Sequence, residues 1–355
     1  MREVVRVVRR PADRPVATLE AVAKEAGVSL ATASRVLNGG TRVVKAEYRD
    51  RVLAAAKELH YMPNAHAQAL ARSTTSTVGV ILHDVADPYF SVIAGGVMRT
   101  AHQHDLMVMM ASTFRDPERE IAYVASLHAQ RARAILLIGS GFDDQDYVER
   151  MTAQLSAYRE SGGRVACVSN HSTLPADVVV PDNRQGAADL AQALLDQGHR
   201  SFAVISGPPR LITVSDRLAG LRSALDKAGV ELPESHVVDG GFTRDGGYAA
   251  MNELLDAGLG VTAVCVLSDV MAIGALSACR DRGVDVPAEL SLAGFDDIPI
   301  VRDLQPPLTS VRLPLDELGV RAMELVLAEP TARRRVQRVR GDVVMRASTA
   351  PPAST

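Results

Sequence analysis

Residues 18–38, TLEAVAKEAGVSLATASRVLN, decide how this chain is read. Leu19, Val22, Ala23 and Ala26 recur at i, i+3, i+4 and i+7 and form one apolar stripe, with Glu20, Lys24 and Glu25 on the wet side. Gly27 supplies the left-handed residue that ends a helix and re-aims the chain, and Ser29 is of the type that caps the next one. The second helix is expected from Leu30 to Leu37. Ala33, Val36 and Leu37 pack inward on the small Ala23. Leu30, Ala31, Ser34 and Arg35 then face outward, and Thr18, Ser29, Thr32 and Asn38 carry groups able to donate to phosphates. A third helix, Lys45 to Leu59, places Val52, Leu53, Ala56 and Leu59 on one face and closes a small three-helix core. Two helices about a tight turn, the second with such an outer face, have the docking geometry of a helix-turn-helix.

Charge separates this region from the rest. Residues 1–75 hold 13 Lys and Arg against 7 Asp and Glu, a net +6, whereas the whole chain is at −3, which leaves −9 on the remainder. A basic module on an acidic body is the split expected of a nucleic-acid reader joined to something else. The first 17 residues, basic and with Pro11 and Pro15, read as a flexible arm, and their lack of a long apolar stretch argues against a secretory signal. No apolar run reaches the length of a membrane span, so a cytoplasmic protein is expected. Cys167, Cys265 and Cys279 are far apart and read as buried thiols.

From Val78 onward the pattern alternates. VGVIL (78–82), LMVMM (106–110), AILLI (134–138), RVACV (164–168), FAVIS (202–206), AVCVL (263–267) and LSLAGF (290–295) are short apolar runs, as parallel strands covered on both faces require. Amphipathic stretches lie between them, which is the signature of doubly wound α/β domains, and the length allows two. Ligands in such sheets bind beyond the carboxyl ends of the strands, so the pocket can be read from strand ends. Tyr89 and Phe90 follow the first strand. Arg217, taken as the start of a helix, is unfavourable there for the helix dipole and so reads as a ligand clamp with a fork of donors. Asp296 follows the last strand as an acceptor for hydroxyls, and Thr213, Ser268 and Asp269 complete a polar ring. Nothing points to an enzyme or to a cofactor: there is no HExxH, no phosphate-loop lysine and no nucleophile elbow.

The chain resembles the lactose repressor family of bacterial transcription regulators from Thr18 to about Ala350. The segments that carry the resemblance are VAKEAGVSLATASRVLN, HYMPNAHAQALA (60–71), DPYF (87–90), GHRSFAVISGP (198–208), DRLAGL (216–221), SDVMAIGAL (268–276), VPAELSLAGFDD (286–297), PPLTSVRLP (306–314) and VMRASTAPP (344–352). Two headpiece residues depart from the pattern: Val44, where a capping Ser or Thr is usual, and Ala33, where Val is usual. The resemblance implies an all-α helix-turn-helix headpiece at 18–63, a hinge helix and linker at 64–76, and an α/β core of two doubly wound, parallel-sheet subdomains similar to periplasmic sugar-binding proteins. Those subdomains are expected at 77–180 with 313–332 and at 181–312 with 333–350.

The resemblance also assigns roles. Leu30, Ala31 and Arg35 correspond to the major-groove readers, Leu70 to the wedge entering the minor groove of a near-palindromic operator, and Ala67 to the close approach of paired hinges. Phe242 takes the place of a stacking aromatic opposite Phe90, and Ser169, Ser140 and Asp84 join Arg217 and Asp296 as effector contacts. Purine-binding members carry a further Arg where this chain has Leu211, so a sugar is favoured as effector. A purine- or nucleoside-responsive repressor, a sugar-binding transport receptor and a DNA-binding protein with a vestigial pocket are the alternatives. The implied assembly is a homodimer associated with the nucleoid, with no membrane partner. Helices within SVIAGGVMRTA (91–101) and LGVRAMELVLA (318–328) are the candidate dimer faces, and release by the effector is favoured over corepression.

Overall fold

The computed structural model describes residues 17–38, 44–62, 75–171, 174–331 and 333–353. Contacts divide it into two units, Met1–Thr75 and Ser76–Thr355. The hinge residues Ala67 and Leu70 lie outside the described residues, as does most of the N-terminal arm.

The first unit contains α1 (Leu19–Ala26), α2 (Leu30–Asn38) and α3 (Ala46–Glu58). Thr18 caps α1 by accepting from the Ala21 amide at 3.2 Å. Gly27, at φ 61° and ψ 41°, closes its other end, a left-handed conformation in which a β-carbon is costly. The Ser29 hydroxyl accepts from the Thr32 amide at 3.2 Å and starts α2. The core is built from Val22, Ala23, Ala26, Ala33, Val52, Ala55 and Ala56. Leu53 is not in it, being 46% exposed. The inward stripe of α3 runs Val52, Ala55, Ala56, at i, i+3 and i+4, and Leu53 falls about 100° away on the helix. No side chain caps the start of α3, where Lys45 stands at the cap, in keeping with the missing hydroxyl at Val44.

The second unit is two sheets with helices on their faces, one parallel throughout and the other parallel except for an antiparallel edge strand at Asp342–Val344. In chain order its elements are β1 (Thr77–Leu82), α4 (Pro88–Gln103), β2 (Met107–Ser112), α5 (Pro117–Ala129), β3 (Ala134–Ile138), α6 (Gln145–Glu160), β4 (Arg164–Val168) and β5 (Asp177–Pro181). Next come α7 (Asn183–Asp196), β6 (Phe202–Ser206), α8 (Ile212–Lys227), β7 (Val237–Asp239), α9 (Arg244–Ala257), β8 (Ala263–Val266), α10 (Asp269–Asp281) and β9 (Ser291–Asp296). The last are β10 (Thr309–Arg312), α11 (Leu315–Leu327), β11 (Val336–Val339) and β12 (Asp342–Val344). The sheets are ordered β11-β5-β4-β3-β1-β2 and β12-β10-β9-β8-β6-β7.

The chain therefore crosses between the subdomains three times, after β5, after β10 and after β11. This corrects one boundary. Residues 333–339 do not join the C-terminal subdomain, because Val336–Val339 pair in parallel with Val178–Pro181; the arginines there disguise a strand whose alternate residues are exposed at a sheet edge.

The candidate dimer helices pack on each other within the chain. α4 and α11 pack on each other so closely that a β-carbon on Gly96 would lie 2.2 Å from the Asp316 carbonyl oxygen, and one on Gly319 2.0 Å from that of Ile93. The faces that meet there are buried inside the N-terminal subdomain, while Met98 on α4 stays exposed. Exposed apolar surface remains instead along the edge strand β2, at Met107 (67%), Met109 (44%) and Met110 (38%), with Phe114 (62%) and Met98 (40%) nearby.

One carboxyl in this core is buried without a full set of partners. Glu120, in the first turn of α5, is 4% exposed; its Oε1 accepts from the Tyr147 hydroxyl at 3.1 Å, and its Oε2 has no partner. Burial pushes this carboxyl up to about 7, against the Tyr147 hydrogen bond. The folded protein thus holds a proton that the unfolded chain releases near the ordinary carboxylate value, so this contribution to stability is complete below that value and is lost as pH rises towards 7. Glu120→Gln keeps an acceptor for Tyr147 and removes the titration. Its unfolding free energy is expected to rise above that of the wild type between pH 5 and pH 8, by about 2–4 kcal/mol at the upper end; a difference that does not change with pH refutes the assignment.

Candidate functional site

On the headpiece the outward face of α2 is as the periodicity requires. Leu30, Ala31 and Arg35 are exposed, Thr32 and Ser34 half-buried, and Ala33 fully buried. Thr18 and Ser29 are exposed and both act as helix caps. Accepting a bond leaves a hydroxyl its proton, so capping does not remove Thr18 as a phosphate donor, while the Ser29 and Thr32 hydroxyls, 2.8 Å apart, share one proton between them and leave the other to donate. Asn38 ends α2. Among the outward side chains Arg35 carries the one guanidinium, the group that matches the O6 and N7 acceptors of guanine in the major groove.

In the core, the carboxyl ends of the strands of both sheets meet at a cleft with about 400 Å³ of unfilled space. At its floor lies Arg217, 2% exposed. Its Nη2 donates to Asp296 Oδ1 at 2.7 Å, its Nε to Asn183 Oδ1 at 2.9 Å, and its Nη1 to the Leu267 carbonyl. The guanidinium carbon also sits 3.8 Å from the centre of the Phe295 ring. A guanidinium has five N–H groups, so two remain after these three bonds. Burial pushes the Asp296 carboxyl up to about 7 even though Arg217 pulls it down. Arg217 does not begin its helix, as the sequence reading had it. It lies in the second turn of α8, and the opposite charge of Asp296, not a clash with the helix dipole, accounts for its burial.

Phe90, Thr213, Phe242 and Ser268 line the same cleft, as do Ser140 and Tyr89. Ser169 lies just behind, with its Oγ 3.2 Å from Thr213 Oγ1. Asp84 is occupied with the Ala86 amide at 3.0 Å and does not line the cleft.

Asp269 is a correction. It is fully buried, accepts from Ser310 Oγ at 2.7 Å and from the Ile298 amide at 2.9 Å, and does not line the cleft. Its carboxyl anchors the loop that carries Asp296, and the strand-end rule could not tell an anchor from a contact.

Four cleft residues were missed: His83, Asp87, Arg115 and, as a wall rather than an absence, Leu211. His83 directly follows β1 and Arg115 follows β2, so the strand-end rule applied to those strands finds both. Burial lowers His83 to about 3 and keeps it neutral, while burial raises the Asp87 carboxyl. Arg115 reaches across from the N-terminal side, 5.4 Å from the Phe242 ring centre, and donates to the Phe242 carbonyl at 3.4 Å. Further bonds join the two sides beside it: the Ile212 amide to the Gly141 carbonyl at 3.0 Å, Asp143 to Arg210 at 2.9 Å, and Thr213 to Ser140 Oγ at 3.0 Å. Ser169, Phe242, Asp296 and Arg115 all have positive φ, between 55° and 114°. Non-glycine residues held there cost about 1–3 kcal/mol each and gather at functional sites. Among the described residues no cluster of His, Cys, Asp and Glu is arranged to hold a metal ion, and no helix is long and apolar enough to cross a membrane.

Comparisons with known proteins agree with this two-part organisation. Residues 18–64 match the family described as "Bacterial regulatory proteins, lacI family", and residues 191–349 match "Periplasmic binding protein-like domain". The HTH-type transcriptional regulator GalS of Salmonella typhimurium (strain LT2) is 35% identical over 316 residues, 87% of this chain and 89% of the relative. A solved complex of the transcriptional regulator CelR with cellobiose is 32% identical at a TM-score of 0.67, covering 94% of this chain and 100% of that one. The lac repressor dimer bound to operator and the anti-inducer ONPF is 26% identical, at a TM-score of 0.81 over 94% of this chain and 99% of that one.

Two outcomes follow from these geometries. Arg35→Ala is expected to weaken binding to a cognate duplex by about 1–3 kcal/mol per half-site at fixed salt and to relax base preference at one position; unchanged affinity shows that the α2 register is misassigned. Asp296→Ala leaves the Arg217 charge buried and unpaired, and is expected to cost about 3–5 kcal/mol of stability by chemical denaturation; Asp296→Asn, which keeps an acceptor but not the charge, recovers the hydrogen-bond part of that loss and not the charge part. Wild-type stability in Asp296→Asn counts against a paired charge.

Proposed function

Because the chain belongs to the lacI family of bacterial regulatory proteins, we propose that it is an operator-binding transcriptional repressor, not an enzyme, whose DNA affinity is set by a small carbohydrate held in the cleft of its core. The DNA readers are Leu30, Ala31 and Arg35, with Thr18, Ser29, Thr32, Ser34 and Asn38 on phosphates and Ala67 and Leu70 in the hinge. Two copies read a near-palindromic operator, and the exposed methionines of β2 supply the apolar seam between them. The proposed place of action is the cytoplasm, at the nucleoid, where operator DNA lies.

The observation that carries the carbohydrate reading is the Arg217–Asp296 pair on the cleft floor. A hydroxyl both donates and accepts, so two spare guanidinium N–H groups beside a carboxylate match adjacent hydroxyls on a ring. Phe90 and Phe242 line the same cleft and offer faces to the apolar side of a sugar. Ser140, Ser169, Thr213 and Ser268 add shorter polar groups at or just behind the wall. Leu211 lines the cleft with an apolar side chain, which gives a nucleobase edge no donor at that point. Asp269 acts from behind as an anchor.

A ligand shifts an equilibrium only through different affinity for its two states. Here the cleft residues come from both subdomains, so occupancy favours the closed arrangement and alters how paired N-terminal subdomains present the hinges. The reading favours induction. If the sugar weakens operator binding 100-fold, operator weakens sugar binding by the same factor, a coupling of about 2.7 kcal/mol.

The test uses an operator selected from random duplexes by the full-length protein, and a calorimetric panel of monosaccharides, disaccharides and nucleobases. A sugar is expected to bind and to release the operator from the wild type. Asp296→Asn is expected to hold operator with wild-type affinity in the absence of sugar and to ignore the sugar. A wild-type response in that variant removes the site, and binding of a nucleobase in place of any sugar removes the carbohydrate reading.

A further inference from the structure

The strands of the N-terminal sheet are all parallel, so their carboxyl ends form the cleft and their amino ends form the opposite edge of the subdomain. That opposite edge is strongly basic. Arg131 and Arg133 precede β3, Arg159 closes α6, Arg164 starts β4, and Arg333, Arg334 and Arg335 precede β11. Arg131, Arg133, Arg159, Arg333 and Arg334 are exposed. The carboxylates on the same edge are Asp105, Glu160, Asp177 and Glu329, and of these Asp177 is bound to Arg335. Between β4, β5 and β11 the arginines surround a concavity of about 740 Å³ lined by Arg159, Arg164, Asp177 and the three arginines 333–335. This concentration of positive charge stands on the acidic part of the chain, where residues 76–355 sum to −9.

Its position gives it meaning. The chain joins the core at Thr77, on this same edge, and the Arg133 amide donates to the Thr77 carbonyl at 2.8 Å. From β1 the strands run β3, β4, β5, β11 along the edge, so at about 4.8 Å per strand the run of arginines extends roughly 20 Å sideways from the junction. The residues between Met62 and Thr75 can span at most roughly 45 Å. The headpiece is thus tethered to the core at the edge that carries the arginines, while the cleft is at the other end of the strands.

We propose that this arginine edge is a second DNA-contacting surface, which takes backbone phosphates of the duplex flanking the operator and so adds affinity without adding sequence information. Guanidinium groups suit phosphate oxygens, and contacts to phosphates position a protein on DNA without reading bases. The proposal rests on the reading that the headpiece binds an operator.

The experiment uses the full-length protein and two duplexes, one ending at the edges of the operator and one extended by about one helical turn, roughly 10 bp, on each side. Affinity is measured from low to high salt for the wild type and for the triple variant Arg133→Gln, Arg333→Gln, Arg334→Gln. The wild type is expected to show a steeper fall of log K with log salt on the extended duplex, by about 0.9 per added phosphate contact. The triple variant is expected to lose that difference, to match the wild type on the short duplex and to keep its discrimination against a mismatched operator. Lysines at the same three positions are expected to restore the slope, which separates charge from any disturbance of the fold. An unchanged slope on the extended duplex overturns the proposal, and so does a loss that is equal on both duplexes. Failure of the wild type to bind any operator overturns the underlying DNA reading instead.

Discussion

The core is organised around one buried charge. Arg217 brings a guanidinium to a place that is 2% exposed, and an unpaired charge there is strongly destabilising. Its partners come from separate parts of the C-terminal subdomain: Asn183 at the start of α7, the Leu267 carbonyl just after β8, and Asp296 with Phe295 at the end of β9. Satisfying this one side chain brings three strand and helix ends to the same point. Asp296 needs φ 111° to reach it, and that strained turn is held in place by Asp269 through Ser310 and Ile298. The floor of the cleft is thus rigid because its charge must be neutralised, and the residues that neutralise it are left with spare hydrogen-bonding capacity on the open side.

The walls follow a different logic. They come from two subdomains that share backbone bonds at one margin, where Ile212 meets Gly141 and Asp143 meets Arg210. Arg115 adds a bond and a ring contact to Phe242. These contacts run along one margin of the cleft, some at buried residues such as Gly141 and some at exposed ones such as Asp143 and Arg210.

Much of this was legible in the sequence, for identifiable reasons. Buried parallel strands have to be short apolar runs, so β1 to β4, β6, β8 and β9 announce themselves and their ends point at the cleft, whereas β5, β7, β10 and β12 are not marked in this way. Gly27 and Ser29 marked the turn of the headpiece because left-handed backbone and helix caps demand those residue types. What escaped notice was decided by contacts between distant segments. Nothing local distinguishes Asp269, which anchors a loop, from Asp296, which faces the cleft. β11 reads as a run of charge because it lies at a sheet edge where alternate side chains meet water. The close packing of α4 on α11 depends on Gly96 and Gly319, 223 residues apart, and neither glycine signals the other. Leu53 was misplaced by the ambiguity of choosing among neighbouring apolar residues on a short helix.

The pairing of β11 with β5 has a consequence for how the protein is made. β5 ends at Pro181, but its neighbour on that side is not complete until Val339, and α11, which covers α4 and this sheet, is nearly as late. At synthesis rates of about 5–20 residues per second, the ribosome needs on the order of 8–30 seconds to supply the missing strand. During that interval the N-terminal subdomain has an uncovered apolar helix face and an unpaired strand edge, the kind of template on which chains join wrongly. The C-terminal subdomain, whose strands β6 to β10 emerge in one run, can largely assemble meanwhile. The molecule is therefore built from its far end inward, and the half that sits nearest the headpiece in the chain is the last to close.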